Sequence, residues 1–95
     1  MVGGENIVQG SVNTLKGDKN TVNGDSNKLT GNSNMLSGSN NTLSGNYNGV
    51  KGDQNQLMGD YNQIQGSINK VKGDKNTVNG SLNQLIGSNN YLSGN

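Results

Sequence analysis

Five aspartates are the side chains whose type and spacing are best suited to chemistry. Asp18, Asp25, Asp53, Asp60 and Asp74 are separated by multiples of seven residues, and carboxylate oxygens are ligands that Ca²⁺ prefers. Calcium-binding repeats of this kind, however, use a nine-residue unit with the pattern Gly-Gly-x-Gly-x-Asp, which this chain lacks. Because each of the five follows a glycine, we predict that they cap turns and hold no metal.

The missing residue types exclude most other chemistry. The 95 residues include no Cys and no His, which excludes a zinc finger, a thiol nucleophile and a histidine acid–base pair. A nucleic-acid partner would need a basic stripe and stacking aromatics, but the net charge is +1 and aromatic residues make up 3% of the chain. No apolar run is long enough for a membrane-spanning helix or a signal-peptide core. We therefore predict no enzymatic activity, no cofactor, no nucleic-acid partner and no membrane partner.

A seven-residue repeat organises the whole chain. From Gly3, thirteen consecutive heptads carry Gly at position 1, Asn at position 4 and Leu, Val or Ile at position 6. A coiled coil is excluded because it needs two apolar positions in each heptad, and because each glycine would cost about 1 kcal/mol in a helix. Collagen is excluded because it needs Gly at every third residue.

Short strands are the elements that would position these side chains. Positions 4 and 6 differ by two, so both point to one side of an extended segment, while positions 3, 5 and 7 point to the other. Position 1 is Gly, and position 2 is Ser, Asp or Asn in every heptad except the first, a combination typical of turns. We predict a five-residue strand at positions 3–7 and a two-residue corner at positions 1 and 2.

Stacking the strands would bring repeated residues into columns. With two heptads in each 14-residue coil, every Asn lies over an Asn and every aliphatic residue over another, at the ~4.8 Å strand spacing of a sheet. The sequence therefore predicts an all-β fold: a two-sided parallel β-solenoid, one domain over residues 1–95, with odd-numbered heptads on one face and even-numbered heptads on the other. The alternative is a disordered linker, which the 26% hydrophobic content favours but the strict placement of Asn and aliphatic residues does not.

The inward amides can both donate and accept hydrogen bonds, so they are predicted to form a structural ladder. Its members are Asn6, Asn13, Asn20, Asn27, Asn34, Asn41, Asn48, Asn55, Asn62, Asn69, Asn76, Asn83 and Asn90.

The pattern Gly-x-x-Asn-x-(Val/Leu/Ile)-x resembles the x-x-Asn-x-Val-x-Gly heptad of the grass ice-recrystallisation-inhibiting antifreeze proteins. The resemblance covers residues 3–95. It implies a left-handed β-roll in which one flat face binds an ice crystal surface through outward Thr, Ser and Val and so inhibits recrystallisation. It also implies a secreted, extracellular protein of cold tolerance, although this chain shows no signal peptide.

The even-numbered heptads are predicted to carry the ice-binding face. Outward residues of suitable type cluster there in three successive coils: Val12, Thr14, Ser26, Thr30, Asn40, Thr42 and Ser44. Lys16 and Lys28 interrupt this cluster. On the odd-numbered heptads, the rings of Tyr47, Tyr61 and Tyr91 are expected to project and keep an ice plane away from smaller side chains.

A second function stays open on the same fold. Structural or adhesive β-solenoids, similar to the head and stalk repeats of bacterial surface proteins, also stack short strands, although such repeats favour Ala and Gly where Asn recurs here. Uncapped solenoid ends also predict self-association, either end to end or face to face.

Overall fold

Each heptad forms one short strand and one corner. The computed structural model describes residues 3–94, and the strands occupy positions 5–7 of the heptads. The strands are β1 (Ile7–Gln9), β2 (Thr14–Lys16), β3 (Thr21–Asn23), β4 (Lys28–Thr30), β5 (Met35–Ser37), β6 (Thr42–Ser44), β7 (Gly49–Lys51), β8 (Gln56–Met58), β9 (Gln63–Gln65), β10 (Lys70–Lys72), β11 (Thr77–Asn79), β12 (Gln84–Ile86) and β13 (Tyr91–Ser93).

The strands stack into two parallel sheets. The odd sheet contains seven strands in the order β1-β3-β5-β7-β9-β11-β13, and the even sheet contains the six strands β2 to β12. Pairing is in register, so Leu29 of β4 lies beside Leu43 of β6, and Val22 of β3 beside Leu36 of β5. The Cα trace measures 33 × 20 × 12 Å. The predicted all-β, two-sided parallel solenoid with 14-residue coils is confirmed.

The core between the two sheets consists of the position 6 side chains. Leu85 and Leu92 are partly buried against it, while Val8 is 37% exposed. Ten members are buried: Leu15, Val22, Leu29, Leu36, Leu43, Val50, Leu57, Ile64, Val71 and Val78. Each aliphatic side chain taken out of water contributes about 1.5–3 kcal/mol, so these two facing columns, one on each sheet, hold the sheets face to face.

The asparagines form an inward column beside the aliphatic column on each side of the solenoid. Asn48 is representative: its Nδ2 donates to the carbonyl oxygen of Gly59 at 2.7 Å, and its Oδ1 accepts the backbone N–H of Asn62 at 2.8 Å. Bonds between two side chains are less frequent, as from Asn34 Nδ2 to Asn20 Oδ1 at 3.1 Å. The amides therefore tie each coil mainly to the backbone of its neighbour, and no buried side-chain N or O atom of the described residues lacks a partner.

The corners are longer than predicted. The residue at position 3 has a φ between 55° and 62° in every heptad, which is the left-handed region that L residues other than Asn, Asp and Gly rarely adopt. In this conformation the backbone N–H points along the stack toward the adjacent coil. For example, the N–H of Lys19 donates to the carbonyl oxygen of Gly4 at 3.0 Å. Position 3 thus belongs to a four-residue corner, and the predicted five-residue strand is wrong.

Polar residues at position 2 join the corners of successive coils. Asp25 Oδ1 accepts the N–H of Ser11 at 2.7 Å, and Asp60 Oδ1 accepts the N–H of Asn46 at 2.8 Å. The aspartates bond backbone N–H groups of corners as predicted, but these groups belong to the adjacent coil, so the expected bond within the same turn is not observed.

Glycine at position 1 is required by both conformation and space. Gly45 has a φ of 135°, and a Cβ atom there would overlap the carbonyl oxygen of Gly59 in the next coil. The corner glycines also donate along the stack, as from Gly24 N–H to Gln9 O at 2.8 Å and from Gly80 N–H to Gln65 O at 2.9 Å. The coils therefore approach one another so closely that only hydrogen fits at this position.

Candidate functional site

The even patch, defined as Thr14, Thr30, Thr42 and Ser44, lies on the outer surface of β2, β4 and β6. In-register pairing places the outward residues of these strands in two columns, which read Thr14, Lys28, Thr42 and Lys16, Thr30, Ser44. The intervening leucines point into the core, so each hydroxyl-bearing side chain is mounted on a strand whose inner face is buried. The patch is therefore a regularly spaced set of hydroxyl and methyl groups whose columns also contain Lys28 and Lys16.

The other three residues predicted for this face lie beside it. Val12, Ser26 and Asn40 occupy corners, with φ values of 57°, 59° and 58°. They flank the edge where the chain enters β2, β4 and β6, and they are not part of the flat sheet surface. The structure thus brings four of the seven predicted residues onto one face and sets three along its border.

Lysines give the even sheet a positive charge. Lys16 and Lys28 lie within the columns of the even patch, and Lys70 and Lys72 lie on β10. Because the described strands of this sheet contain no acidic residue, these ammonium groups have no counter-charge on the same surface. Water bound to them competes with any ordered water over the patch.

Two of the three tyrosines assigned to the odd face lie elsewhere. Tyr47 and Tyr61 occupy position 3 and so belong to corners, where their rings stack with centroids 5.0 Å apart and an interplanar angle of 5°. The prediction that they project from the odd face is therefore wrong. Tyr91, at the start of β13, does project, with 77% of its surface exposed.

The odd sheet carries a shallow groove that the sequence analysis missed. It has a volume of about 730 Å³ and crosses the sheet from β3 to β13 between the two rows of outward side chains. Gly49 on β7 leaves open space in its middle, since an added Cβ would meet no atom within 4 Å. The sequence feature that could have indicated the groove is the glycine at position 5 of this heptad, because every other heptad has a side chain there.

Within residues 3–94, no three side chains of the metal-binding types converge. No helix in that range is long and apolar enough to cross a membrane.

The strands stack into two parallel sheets, and columns of Asn and aliphatic residues fill the space between them. These features define a parallel β-solenoid. A family model described as "Grass antifreeze beta roll" matches residues 1–95. The chain belongs to this grass antifreeze β-roll family and is accordingly an ice-binding protein. A comparison with curated proteins finds no match.

Proposed function

We propose that the protein inhibits ice recrystallisation by adsorbing to ice through the even patch. The observation that carries the proposal is the in-register array of Thr14, Thr30, Thr42 and Ser44 on the even sheet, in a chain of an ice-binding family. Val12, Ser26 and Asn40 border this array and extend it around the corner.

The spacing of the array supports contact with a crystal. Neighbouring strands lie ~4.8 Å apart and alternate residues along a strand ~6.6 Å apart, and both distances are close to oxygen repeats on ice surfaces. Hydroxyl groups can hold water at these spacings while methyl groups limit competing orientations. Because core packing and backbone hydrogen bonds already fix the array, little conformational entropy is lost when ice binds.

Flatness favours the even patch over the odd sheet. Ice cannot deform around a projecting side chain or fill a depression without breaking its lattice. The odd sheet has a groove across its middle and the exposed ring of Tyr91 near one end. Lys16 and Lys28 weaken ice binding by the even sheet, because a hydrated ammonium group disturbs ordered water.

The proposal includes an extracellular location. Ice forms first outside cells, and the antifreeze family to which the chain belongs suggests the same compartment. A secreted protein that slows the growth of large crystals would contribute to cold tolerance.

A pair of matched substitutions tests the choice of face. Thr42→Tyr places a ring in the even patch, and Thr77→Tyr places the same ring on β11 of the odd sheet. We expect the first variant to lose recrystallisation inhibition in a splat-cooling assay and the second to keep it, with unchanged circular dichroism for both.

The remaining outcomes are equally informative. Loss only in Thr77→Tyr would assign ice binding to the odd sheet. Full inhibition by both folded variants would reject a sheet-face mechanism and favour the structural or adhesive alternative.

A further inference from the structure

The odd-sheet groove differs chemically from the even patch and is suited to another ligand. Amide groups line it at Asn23, Gln63, Gln65 and Asn79, with hydroxyl groups between them. Among the lining residues Lys51 is charged and the others are neutral. A groove rich in amides and poor in charge matches an uncharged ligand with many hydroxyl groups.

The shape of the groove points to a linear molecule. It spans six strands, from β3 to β13, which corresponds to about 24 Å at ~4.8 Å per strand. Its polar side chains repeat at that same interval, because the strands pair in register. One strand spacing is close to the length of one sugar unit in an extended β-1,4-linked chain, whereas an extended peptide advances ~3.3 Å per residue and falls out of step.

Two further features suit a sugar chain. Successive units of a β-1,4-linked ribbon turn over by half a rotation, and an amide serves either orientation because it both donates and accepts. Tyr91 ends the groove with a largely exposed ring, and aromatic faces provide an apolar surface with a polar tip. Met35 offers a second apolar contact within the groove.

We propose that the odd-sheet groove binds an uncharged, linear β-1,4-linked polysaccharide that lies along the solenoid axis. Gly49 widens the groove at its centre, and a bulky side chain such as tyrosine there would narrow it. The protein would then have two binding surfaces. The odd sheet would bind a polysaccharide, and the even sheet would face the water in which ice grows.

The probe for this proposal is cellohexaose, titrated into ¹⁵N-labelled protein above the freezing point. We expect chemical-shift changes confined to the odd strands. Gly49→Tyr should weaken binding by about tenfold or more, the change that 1.4 kcal/mol represents, and Tyr91→Ala should weaken it by a smaller factor. The matched control is Thr42→Tyr on the even sheet, which should bind cellohexaose like the parent protein.

The proposal is overturned by either of two results. One is that millimolar cellohexaose causes no shift on the odd sheet, or the same shifts in the parent and in Gly49→Tyr. The other is that a hexamer of galacturonic acid binds more tightly than cellohexaose, because Lys51 would then be selecting an anion. Ice binding is measured separately on Gly49→Tyr, which should retain recrystallisation inhibition.

Discussion

Replacing Asn48 by alanine should destabilise the fold through two backbone groups that the side chain serves. Asn48 is 2% exposed, donates to the carbonyl oxygen of Gly59 and accepts the N–H of Asn62. Alanine leaves both groups in a buried layer without a partner, at about 1–3 kcal/mol for each. The free energy of unfolding should fall by about 2–6 kcal/mol, a large share of the ~5–15 kcal/mol that typical domains possess.

Thermal unfolding followed by circular dichroism measures this loss. At roughly 4–8 °C per kcal/mol for a domain of this size, Tm should fall by at least about 8 °C. The matched control is Asn90→Ala: among the described residues, Asn90 joins the ladder through its backbone N–H, which donates to Asn76 Oδ1, and not through its own amide. Equal Tm values for the two variants would refute the view that inward amides stabilise the coils.

Five other substitutions and one measurement of association test separate features. Lys28→Thr completes a column of threonines in the even patch and should strengthen recrystallisation inhibition, whereas Lys70→Thr on β10 should not; equal gains would reject the position of the patch. Gly45→Ala should prevent folding because its Cβ collides with the next coil, while Gly49→Ala, in open space within a strand, should raise stability by about 0.5–1 kcal/mol; denaturant titration compares them. Ile68→Asn should stabilise by about 1 kcal/mol, since φ is 57° there and the side chain is 49% exposed; a lower Tm would show that packing of Ile68 outweighs its strained backbone. Sedimentation velocity tests the predicted self-association, which a purely monomeric sample would contradict.

The sequence predicts the architecture because its framework residues have few alternatives. Every heptad has the same Gly, the same Asn and an aliphatic residue at fixed positions. Parallel stacking of the heptads lets the Asn and the aliphatic residue both point inward and leaves the Gly in a tight corner. Burial of Asn48 and Val50 in the same coil follows from the two-residue separation that the sequence analysis used.

The corners and the surface relief could not be predicted in the same way. Position 3 has a left-handed backbone in every heptad, yet its residues include Lys, Tyr, Ile and Val. The residue type at this position therefore does not predict the conformation. From Lys19 onward, the N–H at position 3 donates to a backbone carbonyl of the adjacent coil, 15 residues earlier in the chain, as from Ile68 to Asp53. Residues this far apart give no local sequence signal. Tyr47 and Tyr61 therefore lie in corners and not on the expected face, and only four of the seven residues predicted for ice binding lie on strands of the even sheet.

The hydrogen bonds of the corner glycines also govern how the protein ages chemically. Asn-Gly sequences normally lose ammonia because the glycine nitrogen attacks the asparagine side chain and closes a succinimide ring, whose hydrolysis leaves aspartate or isoaspartate. At Asn23-Gly24 and Asn79-Gly80 that nitrogen is held by a carbonyl of the preceding coil, at 2.8 and 2.9 Å. Ring closure must therefore wait until the coil opens, so the rate at which isoaspartate accumulates at these two pairs reports local opening of the stack. At these two pairs the asparagine side chains are protected from ring closure for as long as the coils remain closed.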